Sequence, residues 1–157
     1  IKQMIYMRVA VETMVLRDFM EIQTPMVMEE IRHAIAVQKA LIQTPGFEPE
    51  QFYRMDAQMH SLWFTAVKRQ KLWDMLQAQQ LHYTRFRMLD FITETDFPRI
   101  IGEHEQLFEL ICKKDLSGLE QVLKDHLYYS MKRMRHSIEV DYKDYFEEEP
   151  EENRFVI

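Results

Sequence analysis

Apolar side chains recur at intervals of three and four residues along most of the chain, which is the spacing of one face of an α-helix. The first such stripe lies within residues 2–20 and the third within about residues 49–69. The third stripe consists of Phe52, Met55, Met59, Leu62, Trp63 and Ala66. Neither this segment nor the following one shows the apolar and polar alternation of a β-strand. The pattern therefore predicts helices.

Proline and glycine are scarce, at five and three residues, and fall between the periodic segments. Thr24 precedes Pro25 as a helix cap, Pro45-Gly46 interrupts the pattern, and Asp115 is positioned to cap the last helix. These breaks predict helices over about residues 2–20, 25–44, 49–69, 71–91, 98–114 and 116–146. We therefore expect an all-α fold, an antiparallel bundle of six to seven helices.

No low-complexity linker divides the chain, so we expect one domain over residues 1–146. Residues 147–157 begin with a run of glutamates that repel one another, and we interpret them as a solvated acidic tail. The formal net charge of −6 argues against nucleic-acid binding by this chain's own surface, because phosphate contacts need clustered positive charge. No apolar run approaches the roughly 20 residues that span a bilayer, so we expect no membrane partner.

The chain contains a single cysteine, Cys112, in the apolar string Leu110-Ile111-Cys112. It cannot form an intramolecular disulfide, and its neighbours indicate a small core residue. This cysteine usage suits a reducing compartment, and we expect a cytoplasmic protein.

Four side chains are candidate metal ligands. Asp56 and His60 are separated by four residues and so project from the same face of one helix. His104 and His126 each lie beside the apolar stripe of a later helix. One carboxylate and three imidazoles suit a first-row divalent ion, zinc by expectation, with nickel, cobalt or manganese as alternatives.

The spacing alone does not favour this metal site. An Asp-x3-His pattern is common by chance, and a histidine beside an apolar face is more often a hydrogen-bonded core residue than a ligand. A metal-free helical interaction module, with the histidines as core residues, therefore stays open at this stage.

The combination of several motifs is more specific than any one of them. They are Arg-x3-Glu at Arg8 and Glu12, Asp-x3-His at Asp56 and His60, Glu-His at Glu103 and His104, and Asp-x9-Asp-His-Leu from Asp115 to Leu127. From Arg8 to about Arg135 the sequence resembles the FadR-like C-terminal ligand-binding domain, or FCD domain, of GntR-type bacterial transcription regulators.

The resemblance implies a metal site of the family's metal-binding branch on Asp56, His60, His104 and His126. It also implies that a small organic acid binds over the metal and that an arginine of the first helix, here Arg8, helps to hold it. A guanidinium matches a carboxylate well, although Arg8 in a surface salt bridge is the alternative. Arg85 is a weaker candidate for the same role.

The resemblance further implies a ligand-sensing and dimerisation domain, acting as a homodimer, that controls DNA binding. The winged helix-turn-helix that would contact DNA is expected N-terminal to this domain and is absent from this chain. We expect no catalytic residues. The alternative from another class is a metal-dependent, hydrolase-like enzyme, which would need a general base, and Glu103 or Glu105 could be nominated.

Overall fold

Six helices account for nearly all of residues 2–78 and 96–133, which are the residues described by this computed structural model. They are α1 (Lys2–Ile22), α2 (Pro25–Ile42), α3 (Pro49–Ala66), α4 (Gln70–Ala78), α5 (Phe97–Lys113) and α6 (Leu116–Arg133). These two ranges contain no β-strand. The prediction of an all-α helical bundle is confirmed.

Several predictions concern residues outside the described ranges. They are the end of the fourth helix, Arg85, the last helix beyond residue 133, the domain boundary at 146 and the acidic tail over 147–157.

Side-chain caps fix the starts of α2 and α6. The Thr24 side chain accepts a hydrogen bond from the Val27 amide at 3.4 Å, and Pro25 occupies the first turn of α2. Asp115 likewise accepts from the Gly118 amide at 3.0 Å at the start of α6. Both predicted caps are therefore confirmed.

The third helix ends three residues earlier than predicted, at Ala66. Lys68 adopts a left-handed backbone conformation with φ of 58°, and the Arg69 amide donates back to the Phe64 carbonyl at 2.7 Å. This arrangement satisfies the terminal carbonyls of the helix. Residue 68 is a lysine and not the glycine that usually adopts this conformation, so the turn could not be recognised from the sequence.

The core lies where these helices meet. Helix α1 packs against α3 and α6, while α2 packs against α3 and α5, and α5 packs against α6. The largest fully buried side chains are mostly aromatic or branched, and include Phe19, Phe52, Trp63, Phe64, Leu107 and Ile111.

The prediction that Cys112 is a small core residue is wrong, because its side chain is exposed. Leu107 and Ile111 are four residues apart and face the interior, which turns the next residue of α5 away from it. None of the helices in the described ranges is long and apolar enough to span a membrane.

The turn between α2 and α3 depends on a glycine at residue 46, where φ is 72°. Gly46→Ala should lower the free energy of unfolding by about 1 kcal/mol, because a Cβ disfavours the left-handed region. Gly102 lies within α5 with open space around the position of a Cβ. As the matched control, Gly102→Ala should raise stability by up to about 1 kcal/mol. Urea unfolding followed by circular dichroism tests both, and equal stability of Gly46→Ala and the unmodified protein would contradict the expectation.

Candidate metal centre

The bundle interior holds a cluster of polar side chains among its apolar residues. Asp56, His60, His104 and His126 are all buried, and one ligand atom from each lies within 4.8 Å of the others. Helix α3 supplies the first two from consecutive turns, and α5 and α6 each supply one histidine. The structure therefore brings together the four residues that the sequence nominated.

The Nε2 side of each imidazole faces this shared centre. Asp56 Oδ1 lies 3.3 Å from His104 Nε2 and 3.9 Å from His60 Nε2. The ring of His126 has its centroid 4.8 Å from that of His104 and 5.4 Å from that of His60. Three imidazoles and one carboxylate thus surround a single point.

The Nδ1 atoms on the other side of the rings have separate partners. His60 Nδ1 lies 2.7 Å from Glu12 Oε2. His104 Nδ1 lies 2.8 Å from Gln38 Oε1, and His126 Nδ1 lies 3.0 Å from Glu103 Oε2. Each of these partners is an oxygen that can accept a hydrogen bond, so each Nδ1 has a reason to carry the proton.

The ionisation of Glu12 settles the direction of the first of these hydrogen bonds. Burial raises the pKa of Glu12, but the charge of Arg8 and the hydrogen bonds from Arg8 and His60 outweigh burial and lower it to about 2. An ionised carboxylate can only accept, so His60 Nδ1 donates and Nε2 keeps its lone pair.

The same reasoning applies to Glu103. Burial raises its pKa, and hydrogen bonds from His126 and Arg99 outweigh burial and lower it below its usual value. Glu103 therefore also accepts from His126 Nδ1. Nε2 of His126, the third candidate nitrogen ligand, is left with its lone pair turned towards the centre.

Burial keeps the imidazoles of His60 and His104 neutral. It lowers the pKa of His60, against the opposing charge of Glu12, and lowers the pKa of His104 to about 4. A histidine must be neutral to bind a metal, so at physiological pH both rings are in the ligand form.

These residues fit a first-row divalent metal. The Nε2 atoms of His60, His104 and His126 are buried and have no hydrogen-bond partner among residues 2–78 and 96–133. Buried polar atoms are almost always satisfied, and a metal would satisfy three nitrogen lone pairs at one point. The set of one carboxylate and three imidazoles is that of a transition-metal site.

Arg8 is buried, at 3% exposure, so its interpretation as part of a surface salt bridge is wrong. Its Nε donates to Glu12 Oε1, and its guanidinium lies 5.8 Å from the centre of the Trp73 ring. Arg85, the other candidate for holding an effector, lies outside the described residues.

None of the three residues that hold the Nδ1 atoms was given this role from the sequence. Glu12 appeared only within a family motif, Glu103 was nominated only as a general base of the enzyme alternative, and Gln38 was not singled out. A signal was nevertheless present, because Gln38 continues the buried stripe of α2 formed by Ile31 and Ile35. A polar residue on a buried stripe indicates a partner in the interior.

The two glutamates nominated as general bases do not lie at the centre. Glu103 divides its oxygens between His126 Nδ1 and Arg99 Nε, at 3.0 Å each. Glu105 is exposed and pairs with Lys39. Neither carboxylate stands beside the Nε2 atoms, so neither is placed to act as a general base at the centre.

The fold and the site together define an all-helical ligand-binding domain with a buried centre suited to a metal. Comparison with protein families matches residues 3–129 to the FCD domain, and the chain belongs to that family. It is thus an effector-binding regulatory domain of the GntR-type regulators. None of the curated proteins matches the sequence significantly.

Acid should destabilise the metal-free domain over the pH range between the unfolded-state and folded-state pKa values of His104. Folding lowers the pKa of this imidazole from its ordinary value of 6.5 to about 4. As the pH falls between these values, the unfolded chain binds a proton that the folded chain does not. The free energy of unfolding should therefore fall by about 1 kcal/mol per pH unit for this group.

Urea unfolding with a chelator present, at a series of pH values, measures this slope. His104→Gln removes one of the two rings whose pKa folding lowers, the other being His60, and should make the slope smaller without abolishing it. His33→Gln, at an exposed position of α2, should leave it unchanged. Parallel slopes for the unmodified protein and His104→Gln would rule out this account.

Proposed function

We propose that this chain is the sensor domain of a cytoplasmic transcription regulator that holds one divalent metal, with zinc as the expected ion. The ligands are Asp56, His60, His104 and His126, through the carboxylate and the three Nε2 atoms. The observation that carries the proposal is the convergence of three buried Nε2 atoms whose Nδ1 partners are all present.

We propose a small organic acid as the effector. A divalent ion bound to one carboxylate and three neutral imidazoles keeps a positive charge, and it offers further coordination positions to an anion. Arg8 lies in α1, which packs against α3 and α6, and is the proposed second contact for the acid. Arg85 is retained as a weaker candidate.

Control of DNA binding would follow from the distribution of the proposed ligands over three helices. The ligands come from α3, α5 and α6, so an effector bound there contacts helices from both halves of the described chain. It would favour one arrangement of the bundle by its higher affinity for that arrangement. In a homodimer, that preference would reposition the attached winged helix-turn-helix domains.

The first experiment is elemental analysis of the purified domain. We expect about one divalent metal per chain, because the four ligands fill most of a four- to six-coordinate site. Asp56→Ala and His104→Ala should each lose the metal. His33→Ala removes an exposed histidine of α2 and should retain it. Full metal content in both ligand variants would exclude this centre, and a folded protein without metal would favour the metal-free interaction module.

The second experiment tests the effector class. A thermal-shift screen of organic acids should find one that raises the melting temperature, because a ligand that binds the folded state stabilises it. A chelator should abolish that shift if the acid binds through the metal. A shift that persists in the metal-free protein would contradict binding over the metal.

A further inference from the structure

We propose that the buried Arg8–Glu12 pair is a positioning pair for His60, so that Arg8 supports metal binding in the absence of any effector. The inference rests on the proposed metal centre and gives Arg8 a role besides contact with an organic acid. It concerns Arg8, Glu12 and His60, whose side chains are at most 4% exposed.

The geometry forms a continuous chain of contacts from α1 to the centre. Arg8 Nε donates to Glu12 Oε1, and the other oxygen of the same carboxylate, Oε2, accepts from His60 Nδ1 at 2.7 Å. Because the two oxygens are rigidly joined, the guanidinium that holds Oε1 also sets the direction of Oε2. That direction fixes the rotation of the imidazole and keeps its proton on Nδ1.

Aromatic rings support both ends of this chain. Trp73 of α4 lies beside the Arg8 guanidinium, at 5.8 Å from ring centre to Cζ. Trp63 packs edge-on against His60 with their ring centres 4.8 Å apart. Side-chain rotation is therefore restricted at the arginine and at the histidine.

Stability alone is a poor reason for an ion pair at this place. A buried ion pair must offset the loss of hydration of two charges, and an apolar pair of similar volume is often as stable or more so. Both residues lie on α1 among apolar core positions such as Ile5, Leu16 and Phe19. A role in holding His60 accounts for the charges.

The other two histidines are held differently. Gln38 offers His104 a neutral amide oxygen. Glu103 holds His126 and is itself paired with Arg99, which is half exposed and therefore in contact with water. Of the three contacts at Nδ1, only that of His60 combines a charged acceptor with a buried arginine.

The test is zinc affinity, measured by competition with a chromogenic chelator in buffer free of organic acids. Arg8→Met and Glu12→Gln should bind Zn²⁺ about 10- to 100-fold more weakly, the usual cost of losing a residue that orients a metal ligand. Arg8→Lys keeps the charge and should recover part of the loss. Arg32→Met breaks an exposed pair with Glu29 on α2 and should have no effect.

Two further readouts separate positioning from general destabilisation. The absorption spectrum of bound Co²⁺ should change in Arg8→Met and stay unchanged in Arg32→Met. In the metal-free protein, nitrogen-15 NMR should find the proton of His60 on Nδ1, and Glu12→Gln should weaken that preference. Glu12→Gln has the shape of the original residue, so it remains informative if Arg8→Met does not fold.

Unchanged zinc affinity in either folded variant, with an unchanged Co²⁺ spectrum, would overturn the inference and leave the metal centre standing. Arg8 would then act on the effector alone. Failure of the unmodified protein to bind Zn²⁺ would instead overturn the metal centre itself, so the two failures are distinguishable.

Discussion

The three buried imidazoles in the interior of this bundle depend on hydrogen bonds at their Nδ1 atoms. An imidazole removed from water is costly unless its polar atoms find partners, and here three are buried together. Glu12, Gln38 and Glu103 each satisfy one ring and orient it. Every ring then presents Nε2 to the same point. Without these acceptors the rings would be free to rotate, and the centre would lose the order that the proposed metal binding requires.

The contributors to this network are spread over five of the six helices in the described ranges. The candidate metal ligands lie on α3, α5 and α6, and the acceptors of the three Nδ1 atoms lie on α1, α2 and α5. A displacement of any of these helices would alter at least one contact of the centre. The converse also holds, because whatever binds at the centre acts on the packing of the bundle. A site built in this way suits a regulatory domain.

Local features of the structure were predictable from the sequence, and long-range ones were not. The caps at Thr24 and Asp115 and the shared face of Asp56 and His60 depend on residues three or four positions apart. The partner of His104 is Gln38, which is 66 positions away, and no local pattern connects them. His104 and His126 were candidates because each lies beside an apolar stripe, and the family resemblance implied that they share one site with Asp56 and His60. Family motifs carry such long-range relations, which periodicity cannot. The hydrogen-bond partners of the three rings could be identified only from the structure.

The charges around the centre bear on the proposal that the effector is an anion. Glu12 and Glu103 each have an arginine on one oxygen, Arg8 and Arg99, so their negative charges are balanced beside them. Asp56 is the carboxylate that faces the Nε2 atoms directly. A divalent ion held as proposed by one carboxylate and three neutral rings would keep excess positive charge, and the balanced pairs behind the rings would cancel little of it. In a buried site water would screen that charge poorly, which would favour the proposed anionic effector over a neutral one.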